Sequence, residues 1–139
     1  YRGALVVIGT KAYVFGGFGE DSAEVFDLET RQWTTLPPMF IDRGGCVAVA
    51  IENFVVVVGG DSDVVELFDI GSQTWSKLQN LPSPRISCAA GLVGNQLIVV
   101  DDMDNNDNLL GTAVSLDLRD FMVPILPKTP NILELEHEE

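Results

Sequence analysis

Histidine is almost missing from this chain of 139 residues: His137, near the end, is the single one. Cysteine occurs twice, as Cys46 and Cys88. A Cys/His zinc site of the usual kind needs four such side chains, so none is expected. Cations are scarce as well. Eight Lys and Arg face twenty-one Asp and Glu, for a net charge of −13. Nucleic acid and anionic membranes both require clustered basic residues, so neither is an expected partner. The charge suits solubility, or attraction to a basic partner. Long apolar runs are lacking too. The stretch from Cys46 to Val58 is broken by Glu52 and Asn53, far short of the ~20 residues that cross a bilayer as a helix. No charged-then-apolar leader and no Asn-x-Ser/Thr sequon is present, so a reducing, cytoplasmic setting is the expectation. The first residue is Tyr1, not Met, and a piece of a longer protein is expected.

What the chain does contain is a repeat. "AYVFGG" (12–17) returns as "VVVVGG" (55–60), with the glycine pair Gly16-Gly17 moved 43 positions to Gly59-Gly60. "EVFDLETRQWTTL" (24–36) returns as "ELFDIGSQTWSKL" (66–78), 42 positions on, matching Trp33 to Trp75 and Phe26-Asp27 to Phe68-Asp69. A weaker third copy has Asp101-Asp102 for the glycines, Leu116-Asp117 for Phe-Asp and Phe121 for the tryptophan. A fixed period of this length signals a repeat architecture. Within each copy, short β-branched runs alternate with turn residues and show no helical period, which reads as four strands. They are expected near 3–8, 12–16, 22–27 and 32–35, then 45–51, 54–58, 63–69 and 74–77, then 87–93, 96–100, 112–118 and 120–123. "DLET" and "DIGS" each place an aspartate where its carboxylate can accept backbone N–H groups in a tight turn. The proline-bearing stretches 36–38 and 81–84 read as connections, because proline cannot serve a central strand.

Four-stranded antiparallel units in series are the blades of a β-propeller. The Gly-Gly after the second strand, the aromatic-Asp in the third and the tryptophan six residues later resemble the kelch repeat. The resemblance covers residues 1–127, with units at about 1–39, 40–82 and 83–127. Residues 128–139 are expected to form an acidic C-terminal tail. The fold class is thus all-β: three kelch-type blades of four antiparallel strands, a partial or half propeller. In that reading the valines stay apolar because each sheet is packed on both faces. The glycines supply positive φ or a bare backbone beside a neighbouring blade.

Three blades fall short of the four to eight of closed rings. Each open flank would leave about 500 Å² of mostly apolar surface in water, forgoing on the order of 10 kcal/mol. Two expectations follow: self-association, with a two-fold dimer closing a six-bladed ring, or missing blades supplied by a longer parent chain.

The resemblance implies a protein- or peptide-interaction module, an adaptor or scaffold piece binding through the loops at one propeller face. In kelch propellers that capture acidic peptides, arginines at the mouth of the first strand line the central pocket. Arg2, Arg43 and Arg85 stand at that place here, so they are the candidate binding residues, with a protein or acidic peptide as partner. The competing reading is that each caps a loop or pairs with a nearby acid. Some kelch propellers are enzymes. One histidine with Tyr1 and Tyr13 does not furnish a copper site, whereas Arg43 and Glu52 loosely offer the acid/base pair of a mutarotase-like sugar enzyme. A ligand-free structural fragment is the third reading. No cofactor, metal or catalytic residue is expected. The loop "DDMDNNDNLLG" (101–111) invites a calcium reading, but Asp107 replaces the glycine and Ala113 the bidentate glutamate that an EF-hand loop needs. Cys46 and Cys88 hold equivalent positions on separate blades, too far apart for a disulfide.

Overall fold

The computed structural model describes residues 3–84, 88–101, 112–119 and 132–136, with 101, 112 and 132–136 as backbone alone. These residues hold twelve strands in three antiparallel sheets of four. Blade 1 comprises β1 (Ala4–Ile8), β2 (Lys11–Phe15), β3 (Ala23–Asp27) and β4 (Gln32–Leu36). Blade 2 comprises β5 (Cys46–Ile51), β6 (Phe54–Gly59), β7 (Glu66–Asp69) and β8 (Thr74–Lys77). Blade 3 comprises β9 (Cys88–Val93), β10 (Gln96–Asp101), β11 (Thr112–Asp117) and β12 (Ile132–Glu136). Each sheet is a simple meander in chain order.

Eleven of the twelve expected strands are present among the described residues. The fourth strand of blade 3 is Ile132–Glu136, paired with β11 from Leu116↔Ile132 to Thr112↔Glu136. It lies inside the segment expected to be a tail, so the boundary at residue 127 is corrected: 132–136 belong to the third blade. The register also places Ile132, not Phe121, where Trp33 opposes Phe26 and Trp75 opposes Phe68. Residues 120–131, including the expected strand at 120–123, lie outside the described residues.

Blade 2 is packed on both faces, which explains its four valines. Val55 to Val58 are all fully buried, and strand alternation sends them to two different cores. Val55 and Val57 join Tyr13, Phe15, Ala23, Leu36 and Phe68 between blades 1 and 2. Val56 and Val58 join Leu67, Leu97, Val99, Val114 and Leu116 between blades 2 and 3. Trp75 closes the first core. Its ring meets Phe15 edge-on at 5.6 Å and Phe68 at 4.8 Å, and its indole N–H donates to the Pro37 carbonyl at 2.8 Å. Aromatic pairs in this geometry add to their area burial.

One device recurs at the third turn of every blade. Oδ1 of Asp27 accepts the Glu29 N–H at 2.9 Å, Oδ1 of Asp69 the Gly71 N–H at 2.9 Å, and Oδ1 of Asp117 the Arg119 N–H at 3.0 Å. At Asp117 the Arg119 guanidinium adds two more bonds, at 3.1 and 2.7 Å. The side-chain hydrogen bonds from Arg119 hold the Asp117 carboxyl down to about 2, against an ordinary value of 3.8. A depressed carboxylate favours the fold above its unfolded value, and that contribution fades as pH falls through its folded value. We therefore expect NMR titration to find Asp117 still ionised at pH 3, and Arg119→Ala to return its midpoint toward 3.8.

Candidate functional site

Meander topology sorts the loops into two ends. The short β1–β2 turns and the third turns lie at one end. The β2–β3 loops (16–22 and 60–65) and the blade-to-blade connection 37–45 lie at the other, the long-loop end. The three candidate arginines belong to this second end by sequence. Arg2 and Arg85 lie outside the described residues.

Arg43 is not at a pocket wall. It is the largest fully buried side chain among the described residues, with no exposed surface. Its Nε donates to Glu66 at 2.9 Å, Nη1 to the Gly59 carbonyl at 2.8 Å and Nη2 to the Val64 carbonyl. Glu66 is equally buried, and its other oxygen accepts the Phe40 N–H. The Arg43 backbone faces the other way: its carbonyl accepts the Gly17 N–H at 2.8 Å, and its N–H donates to the Glu20 carbonyl at 3.0 Å. The main chain is thus tied to blade 1 and the guanidinium to blade 2. Arg43 fastens two blades together and offers no free donor fork to a ligand, so its assignment as a binding residue is corrected.

Both glycine pairs exist to let this connection in. A Cβ on Gly16 would stand 2.4 Å from the Arg43 carbonyl oxygen, and one on Gly60 would stand 3.2 Å from the Arg43 Cα and Cβ. Both have positive φ, +72° and +79°. The expected steric device is real, but the neighbour it makes room for is a linking segment and not a sheet.

With Arg43 buried, the described residues of the long-loop end present two phenyl rings and carboxylates. Phe18 is 69% and Phe40 53% exposed, and Glu20, Asp21, Asp42 and Asp61 are exposed around them. The Phe40 ring already has an ammonium against it, Lys77 Nζ at 5.0 Å from the centroid. Sequence reasoning missed both phenyls, although "GGFGED" and "PPMFID" mark aromatic residues in polar, turn-rich surroundings.

Arg43 and Glu52 do not form an acid/base pair. Glu52 sits in the β5–β6 turn, at the end opposite Arg43. Cys46 is buried and Cys88 half-buried, and neither is in a disulfide. Burial pushes the Cys46 thiol above its ordinary value, and its Sγ lies 3.7 Å from the Phe15 carbonyl, a packing role. No metal-holding cluster of His, Cys, Asp or Glu occurs among the described residues. Most of the 101–111 loop lies outside them.

Known proteins match this picture. The model of the kelch motif matches residues 1–40. Kelch-like protein 25 of Xenopus tropicalis is 43% identical over 60 residues, which is 41% of this chain and 10% of that protein. The human Kelch-like protein 25 is 42% identical over the same length and shares. An F-box/kelch-repeat protein of Arabidopsis thaliana is 39% identical over 67 residues, 45% of this chain and 18% of its own. The chain thus spans between a tenth and a fifth of the length of these relatives. Among solved structures, that of YjhT superposes with a TM-score of 0.71 at 13% identity, covering 84% of this chain and 48% of that one. At that identity the likeness establishes the fold, three kelch-type propeller blades.

Proposed function

We propose that this chain, a run of kelch repeats, is a protein-interaction module that recognises a basic segment carrying an apolar residue through its long-loop end. The observation behind the reading is the burial of Arg43 against Glu66, which removes a cation from that end and leaves Phe18, Phe40 and the surrounding carboxylates exposed. Phenyl faces attract ammonium and guanidinium groups, and a body of net charge −13 draws cations at long range. Kelch-like relatives support recognition as the kind of function, without naming what is bound. The role is binding and not catalysis, and a cytoplasmic setting accompanies it.

Titrating matched Lys/Arg-rich and Asp/Glu-rich peptides at two salt concentrations tests the reading. The basic peptide should bind and weaken as salt rises, since screening shortens the attraction to ~8 Å at physiological strength. Phe18→Ser with Phe40→Ser should weaken it by roughly tenfold, the ~1.4 kcal/mol expected from two exposed cation–π contacts. Preference for the acidic peptide would overturn the reading and return attention to Arg2 and Arg85.

A further inference from the structure

Blade 2 lays a flexible cation against a ring whose backbone is held still. The segment carrying Phe40 is pinned to blade 2 at two points. The Pro37 carbonyl accepts the Trp75 indole N–H at 2.8 Å, and the Phe40 N–H donates to Glu66. Glu66 is itself buried and bonded to Arg43, and Met39, between the two pins, is buried as well. Only the ring projects, 53% exposed. Trp75 and Lys77 share one face of β8, because alternate residues of a strand point the same way. Lys77 is the cross-strand partner of Glu66, so the register that places Glu66 under Phe40 also delivers the lysine there. Its Nζ lies 5.0 Å from the ring centroid, within cation–π reach. The other blades have no cation at this place: the pair matching Glu66↔Lys77 is Glu24↔Thr35 in blade 1 and Val114↔Glu134 in blade 3. The connection from blade 2 to blade 3, residues 82–87, has no aromatic residue to cover.

We infer that Lys77 is an internal occupant of Phe40, a stand-in for the cation of a bound segment, and that it sets the affinity and selectivity of the long-loop end; this rests on the basic-segment role proposed above. A ligand cation arriving at the same face of the ring must displace the ammonium. One arriving at the opposite face must share the ring with a like charge. Displacement needs no backbone movement, since the ammonium rides on a flexible four-carbon stem. An exposed cation–π contact favours the covered ring about two- to fivefold, so the ring is open about a sixth to a third of the time. Apparent affinity for a basic segment falls with that open fraction, by about three- to sixfold. Selectivity follows from the exchange. A lone cation only replaces the lysine and gains little, whereas a segment with an apolar residue beside its cation adds a contact that Lys77 cannot make.

Titrating a Lys/Arg-rich peptide into the full chain, Lys77→Gln and Lys11→Gln tests this. Lys11 opens β2 at the short-turn end, so its variant removes the same charge at the opposite end of the fold. Both lysines are exposed, and neither change should disturb folding. Lys77→Gln should bind about three- to sixfold tighter than Lys11→Gln, and the gain should vanish when Phe40→Ser is added to both. In the free wild type, NMR should find the Lys77 ε-methylene protons shifted upfield by the ring, relative to Phe40→Ser. Saturating peptide should release them. Equal affinity of the two lysine variants, a gain that survives Phe40→Ser, or protons that are unshifted in the free chain or stay shifted in the complex would overturn the inference and leave a basic-segment site standing. Absence of binding by the wild type and by Lys77→Gln alike would overturn the proposed function, and the occupant role with it.

Discussion

Arg43→Ala should cost about 3–5 kcal/mol of folding stability, the usual penalty for stranding one member of a buried ion pair. Glu66 would keep its Phe40 N–H but lose its cation, and the Gly59 and Val64 carbonyls would lose their donors. Since a domain's whole stability is ~5–15 kcal/mol, the variant should be close to unfolded at physiological temperature. Arg43→Lys should rescue little, because an ammonium cannot reach three acceptors set out for a planar fork. Arg43→Met combined with Glu66→Leu should be milder than either charge-stranding single change, since removing both charges removes the unpaired one. Denaturant unfolding of the wild type, Arg43→Met, Glu66→Leu and the double variant gives the coupling directly. Near-additive losses would mean that the pair is not coupled as its 2.9 Å contact implies.

Gly16→Val should be destabilising by on the order of 3 kcal/mol or more. Two costs combine: a β-branched residue at φ +72° is strained by ~1–3 kcal/mol, and its Cβ would overlap the Arg43 carbonyl at 2.4 Å. That oxygen is backbone and is held by the Gly17 N–H, so it cannot swing aside. Two other glycines separate these terms. Gly9 has φ +61° but open space around a Cβ, so Gly9→Ala should cost only the left-handed term of ~1–2 kcal/mol. Gly91 has open space and no positive φ, so Gly91→Ala should leave the melting of the monomer nearly unchanged. Thermal melts that failed to rank Gly16 first would remove the steric argument for the glycine pair.

The blades were readable in the sequence because their markers are local. A valine run ending in Gly-Gly, an aromatic-Asp and a tryptophan six residues on all report on strands and turns within a few residues of themselves. Their third appearance fades just where the structure departs from expectation. Blade 3 has Ile132 where the others have tryptophan, and Pro124, Pro127 and Pro130 precede it, so its last strand looked like a tail. The alternation in "ILELE" was the available signal for a strand with two unlike faces.

Arg43 was harder to read, because its role depends on Glu66, 23 residues away. An arginine in a glycine-rich linker gives the same pattern whether it faces solvent or a core. The better clue was the partner: Glu66 stands between Val65 and Leu67 in an apolar strand, and a carboxylate there requires a buried cation. Its counterpart Glu24 is exposed although the sequence around it is nearly the same. Burial at that position is decided by whether another blade covers it, which no local pattern records.

The most direct test of a binding surface at the long-loop end is to map the amide shifts of the chain on adding a Lys/Arg-rich peptide. The perturbed residues should be those around Phe18 to Asp21, Phe40 to Asp42 and Asp61 to Asp63, with the buried Arg43 side chain keeping its bonds to Glu66. Shifts concentrated instead in the opposite turns, at Gly9-Thr10, 28–31, 52–53 and 70–73, would contradict that placement of the binding surface.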